Sequence, residues 1–192
     1  MSVGTFAFMG GDGKGTSFSE FTPYVNWRPT SFLKASTEFV ISRNHDESQW
    51  IEQLDDRYIF GKLRQRTLAI RTRLNYTVTP NLTIQLYAEP FVSAGDYLSF
   101  KQLADGRSRD YARRYLPTPY DSNPDFNFRS FRTTNVLRWE YRPGSTLFVV
   151  WQQGREDTLD RGTFDFRRDF GGVFDAPARN VFLVKWAYWL NF

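Results

Sequence analysis

"RTRLNYTVTPNLTIQLYAE", Arg71 to Glu89, is written on a period of two. Before Pro80, Leu74, Tyr76 and Val78 share one parity, and Arg71, Arg73, Asn75 and Thr77 share the other. Beyond it, Leu82, Ile84 and Leu86 alternate with Thr83, Gln85, Tyr87 and Glu89. Successive side chains of a strand point to opposite faces, so the stretch reads as a hairpin with one apolar and one polar face. Its turn is Thr79-Pro80-Asn81, where proline fixes φ and asparagine supplies turn chemistry.

Two other stretches repeat the design: "NWRPTSFL" around Pro29 and "EYRPGSTLF" around Pro143. Trp27 and Val25 precede the first proline on the apolar parity, and Tyr141, Trp139 and Leu137 precede the second. The closing stretch places Phe182, Val184, Trp186, Tyr188, Leu190 and Phe192 on one parity. Eight strands are expected, at about 2–9, 17–28, 31–42, 57–79, 82–100, 126–142, 146–154 and 178–192. Polar connections at 43–57, 101–125 and 154–178, and a shorter one at 10–16, are expected to form long loops opposite the short turns. The whole of 1–192 reads as a single domain.

Composition narrows the function classes. Among 192 residues, 18% are aromatic, no cysteine is present and His45 is the one histidine. Thiolate chemistry is therefore excluded, no metal site or cofactor is expected, and β-favouring residues dominate. The net charge of +4 comes from interspersed basic and acidic residues, without the segregated basic face of a nucleic-acid binder. The longest stretch free of Asp, Glu, Lys and Arg, Leu74 to Ala88, is broken by the Pro80 turn, so no helical membrane span is expected. The first fifteen residues lack the pattern of a secretory signal peptide, so the reading expects an intracellular protein or a chain that continues upstream.

Alternation does not say which face meets water. A soluble lipocalin-like barrel holding an apolar ligand turns the apolar parity inward; a membrane barrel turns it to lipid. Four features favour the second. Short turns oppose long loops, as in membrane barrels. Trp27, Tyr76, Trp139, Tyr141, Trp186 and Tyr188 collect near the short turns or the C-terminus, as an interfacial aromatic girdle requires. The strand at 57–79 exceeds the ~9–11 residues a span needs. The chain also closes inside a strand, on Phe192.

That closing pattern, Trp186, Tyr188, Leu190 and Phe192, resembles the C-terminal signal of bacterial outer-membrane barrels, which implies recognition by the barrel assembly machinery. "RTRLNYTVTPNLTIQLYAEPFVSAGDY", "VLRWEYRPGSTLFVVWQQGR" and "NVFLVKWAYWLNF" together resemble the C-terminal portion of the domain of unknown function 5916 family. The resemblance implies an outer-membrane barrel preceded by a carbohydrate-binding domain of the family-nine type. No sugar-binding residue carries over to this chain, which reads as a C-terminal piece of a longer protein linked to carbohydrate binding or uptake.

The expected fold is an all-β, antiparallel up-and-down transmembrane β-barrel of about eight strands, closed alone or forming the C-terminal part of a larger barrel. It is placed in the bacterial cell outer membrane as an anchor or solute passage, with lipid and lipopolysaccharide as partners. The polar parity then faces a lumen with Glu20, Lys34, Glu38, Arg71, Arg73, Glu89, Arg138, Glu140 and Lys185. Buried charges need partners, so these residues either fill an eight-stranded interior or form a charged constriction in a wider one. An outer-membrane hydrolase is the third reading: "RNHDESQW" sets His45, Asp46, Glu47 and Ser48 side by side, but adjacency does not make a triad, and no enzyme is expected. "GGDGKGTS" has Gly15 where a phosphate loop needs Ser or Thr after the lysine. Asp55 and Asp56 with Glu47 could hold calcium loosely, without EF-hand spacing.

Overall fold

The computed structural model describes residues 1–190. Among these residues one antiparallel sheet of nine strands runs along the chain. Its strands are β1 (Ser2–Gly11), β2 (Ser17–Trp27), β3 (Leu33–Leu54), β4 (Arg57–Thr79), β5 (Leu82–Leu103), β6 (Tyr115–Pro117), β7 (Phe126–Arg142), β8 (Ser145–Leu159) and β9 (Ala178–Ala187). Two short helices, α1 (Tyr111–Arg114) and α2 (Phe166–Gly172), lie in the connections after β5 and β8. Each long strand pairs with the next along the chain, apart from β6, which folds back onto β5. Among the described residues no ladder joins β1 to β9, so the sheet is open.

The three proline turns lie at one end of the sheet, as the sequence implies. At Gly144 φ is +76°, a left-handed value that glycine adopts without strain. The opposite, loop end departs from expectation. Residues 43–54 are not a loop: β3 continues to Leu54 and returns through Asp55 and Asp56. Short turns therefore do not alternate strictly with long loops. The cause is the partner strand: β4 exposes backbone donors and acceptors from Arg57 upward, and the polar 43–54 segment satisfies them despite its lost alternation. Bulges between Asp46 and Gln49 and between Trp50 and Glu52 absorb the irregularity. By the same logic β5 reaches Leu103 and β8 reaches Leu159, beyond the expected ends.

Within the described residues the last strand ends at Ala187, opposite Thr146, so Tyr188, Trp189 and Leu190 of the expected 178–192 strand lie outside it. Its partner β8 begins at Ser145, one residue beyond that pair, so the register leaves Trp189 and Leu190 no strand residue of β8 opposite them. The Trp189 N–H instead donates to Ser145 Oγ at 2.9 Å.

The buried apolar side chains are few: Val40, Ile59, Leu63, Ala69, Val92, Ala94, Val173 and Ala176. Val92 and Ala94 on β5, with Val173 and Ala176 in the connection after β8, lie at the loop end, where α2 packs on β5 and β7; Val40, Ile59, Leu63 and Ala69 lie on β3 and β4. Nearer the turn end the sheet is a single layer. Its apolar parity stays open, with Trp139 46%, Val184 69% and Trp186 68% exposed.

The apolar parity forms a band that is oblique to the hydrogen-bonded rows. One row runs Trp27, Ala35, Leu74, Leu86, Asn135, Trp151, Phe182. On β2 this row holds the aromatic nearest the turns, whereas on β7 and β9 Trp139 and Trp186 lie further toward them. The loop-end border slopes the same way. It lies at Phe21, Ile41, Leu68 and Val92 in one row, but at Trp151 and Phe182 on β8 and β9.

Candidate functional site

The register puts Glu20, Lys34, Glu38, Arg71, Arg73, Glu89, Arg138, Glu140 and Lys185 on one face. They do not form one cluster. At its centre, Glu38 stands opposite Arg71 and Glu89 stands opposite Arg132. Arg71 Nε donates to Glu89 Oε1 at 3.0 Å, which links the two pairs into an acid-base-acid-base series across four strands. The Tyr87 hydroxyl donates to the other Glu89 oxygen. One row toward the turns, the Arg73 guanidinium lies 5.3 Å from the centroid of the Tyr87 ring.

The other charged positions are peripheral. Arg138 and Glu140 pair at 3.2 Å within β7. Glu20 accepts from Thr22 Oγ1 at 3.3 Å. Lys34 stands opposite Asn75 and Lys185 opposite Phe148, neither in an ion pair among the described residues. Beside the central series lies a depression of about 400 Å³ lined by Arg73, Asn75, Gln85, Leu86, Tyr87, Thr134 and Val136. Its polar groups can hydrogen-bond a hydroxylated or charged solute. Sequence reasoning left Tyr87 and Arg132 out of the set. Both stand on the polar parity, but their partnership with Glu89 follows from the β5–β7 register, which sequence alone does not give.

On the opposite face the aromatic residues connect. Trp186 Nε1 donates to the Tyr141 hydroxyl at 2.6 Å, and the Trp139 and Tyr141 rings lie 5.9 Å apart. Arg142 donates to the Tyr188 hydroxyl at 2.6 Å, and Phe32 packs edge-on against Tyr76 at 6.4 Å. Trp27 lies on the same parity at the end of β2. Of the expected terminal signal, Trp186 is in β9, Tyr188 and Leu190 follow it, and Phe192 lies outside the described residues.

The 45–48 stretch assembles no triad. His45 and Asp46 are consecutive strand residues and point to opposite faces. His45 Nδ1 lies 3.4 Å from Ser17 Oγ, Glu47 pairs with Lys62 at 2.5 Å, and the Ser48 hydroxyl meets that of Tyr111. That pairing also takes Glu47 away from the Asp55-Asp56 turn. In the glycine-rich connection, Asp12 accepts from the backbone N–H groups of Lys14 and Thr16, a local turn between β1 and β2.

At the loop end the connection after β8 is fixed by Asp169, whose side chain is fully buried. It accepts from Arg168 Nε at 2.8 Å and from the Asp165 N–H at 2.7 Å. Burial pushes its carboxyl upward, and these donors outweigh burial, holding it below the usual carboxylate range.

None of the curated proteins and none of the solved structures matches the chain. Residues 5–192 match the family model described as Domain of unknown function (DUF5916), and the chain belongs to that family.

Proposed function

We propose that this chain forms the wall of a bacterial outer-membrane β-barrel that serves as membrane anchor and passage for polar solutes. Its charged face lines the lumen, and its aromatic-bordered face meets lipid. The observation that carries the reading is the uncovered apolar band. Large apolar side chains lie exposed across the single-layer sheet, while the opposite face holds the Arg71–Glu89 ion pair. A contiguous apolar surface of this kind needs lipid or protein against it. A soluble lipocalin-like barrel would fold that band inward over its own core, whereas here its turn-end half is open, with Val184 69% and Trp186 68% exposed.

The slope and height of the band agree with this account. Strands tilted by ~40°, ~4.8 Å apart and rising ~3.4 Å per residue, shift a membrane level by about one residue per strand. The loop-end border moves from the Leu68 row to the Leu74 row between β2 and β9, which is the expected size. On β4 the band runs from Tyr76 to the first outward arginine, Arg66. Those positions are ~34 Å apart along the strand and about 25 Å apart along the normal at that tilt, matching the apolar height of such barrels.

In lipid, every strand edge must be paired. The edges of β1 and β9 are paired with neither each other nor any described strand, which favours additional strands and a lumen wider than eight strands enclose. The Glu38-Arg71-Glu89-Arg132 series would then border a water-filled passage, and the loops at the other end would contact ligands. Carbohydrate as the solute rests on the family resemblance, and recognition by the barrel assembly machinery on the C-terminal pattern.

Refolding from urea into detergent micelles and, separately, into buffer tests the proposal. β-structure that forms only in detergent, with a gel band that shifts on boiling, is expected. A folded, monodisperse protein in plain buffer would overturn it.

A further inference from the structure

At the loop-end border of the apolar band, Arg43 on β3 stands directly opposite Arg66 on β4. Like charges in direct cross-strand register repel. Neither arginine forms an ion pair among the described residues. One outward position further from the turns, His45 stands opposite Arg64, which pairs with Asp96 at 2.5 Å. Counting Arg43, Arg64 and Arg66 against Asp96 leaves a net charge of two positive units. The connection after β8 covers this patch, so that Gly162, Thr163 and Phe164 complete a pocket of about 310 Å³. Directly below, toward the turns, the next outward row is apolar on β2 to β4, at Phe21, Ile41 and Leu68, before it passes through buried Val92 to the Arg129–Asp157 ion pair on β7 and β8.

We propose that Arg43 and Arg66 bind the headgroup of a lipid bearing a phosphate monoester, with its acyl chains on the apolar row beneath. This inference rests on the membrane reading of the sheet. Guanidinium groups form charge-assisted bonds to phosphate oxygens, and an anion between the two arginines converts their repulsion into two attractions. The placement selects the lipid over a free anion: the charged pair lies at the polar border of the band, where a headgroup lies when its chains meet the wall. The long connections share this end, so the leaflet is the outward one.

Native mass spectrometry in detergent tests the assignment with phosphatidic acid as probe. Diacylglycerol, which lacks the phosphate, and inorganic phosphate at equal concentration are the comparison ligands. The unaltered protein should retain phosphatidic acid at least tenfold better than either. Arg43→Gln with Arg66→Gln should lose at least tenfold in that retention, about the loss of one charge-assisted bond. Arg107→Gln with Arg109→Gln, an equal charge change in the exposed connection after β5, should lose none. Equal retention of diacylglycerol, equal binding of inorganic phosphate, or equal loss in both double variants would overturn the lipid site. The boiling-dependent gel shift, run beside it, separates the two claims: a shift without selective retention sinks only the lipid site, and no shift in the unaltered protein sinks the membrane reading.

Discussion

Replacing Arg71 with leucine tests whether the charged face behaves as one connected network. The Arg71–Glu89 contact measures 3.0 Å, with the Glu89 side chain 20% exposed and that of Arg71 46% exposed. A hydrogen bond to a charged group contributes about 1.5–3 kcal/mol, and partial exposure screens it toward the lower end. Glu89 keeps Tyr87 as a donor and Arg132 as its cross-strand neighbour, so the full penalty of an orphaned buried charge does not apply. Arg71→Leu should therefore cost about 1.5 kcal/mol. With m between ~1 and ~3 kcal/mol/M, the urea midpoint in lipid vesicles, followed by tryptophan fluorescence, should fall by about 0.5–1.5 M. Arg73→Leu, which loses the contact with the Tyr87 ring, should cost about 0.5–1 kcal/mol. A double-mutant cycle of Arg71→Leu with Glu89→Leu should return a coupling near 1 kcal/mol. An unchanged or raised midpoint for Arg71→Leu, or a coupling indistinguishable from zero, would refute the network.

Three further outcomes follow from the geometry. Ile70 lies midway between Tyr76 and Arg66 on the apolar face, so Ile70→Arg should destabilise the protein in vesicles by about 2–4 kcal/mol, measured as a lowered urea midpoint. Gly144→Ala at φ +76° should cost about 1 kcal/mol in the same assay, because a Cβ is disfavoured in that region. Asp169 titrates below the usual carboxylate range, so its contribution is present above about pH 4 and is lost as pH falls through its lowered folded value. Pepsin should therefore cut the connection after β8 only in acid below about pH 4, whereas Asp169→Asn should open it to proteases at neutral pH.

The period-two fold was legible because every strand through the band must show a different chemistry on each face. A shift of one residue would move the whole charged set to the other side. That constraint placed Glu38, Arg71 and Glu89 on one face without knowledge of the register. It failed where both faces are polar. Residues 43–54 carry no alternation, and their strand character comes from the backbone of β4, which sequence patterning does not report. The Arg43–Arg66 pair was hidden for that reason. The opposite error occurred after Ala187, where alternation persists through Leu190 but β8 has only Ser145 left beyond the last pair. The open edges of β1 and β9 were equally invisible, since alternation reports which way side chains point and not how many strands complete a circle.

The absence of cysteine allows nitroxide labels to be placed one at a time through single substitutions along β4, at residues 68 to 75. Accessibility to oxygen and to a water-soluble nickel chelate, measured by electron paramagnetic resonance in native-like membranes, reports directly which face meets lipid. The membrane account predicts a period of two, with oxygen maxima at 68, 70, 72 and 74 and nickel-chelate maxima at 71, 73 and 75. Apolar positions closed to both reagents, with charged positions open to the chelate, would mean that the band is a protein core and would contradict the account.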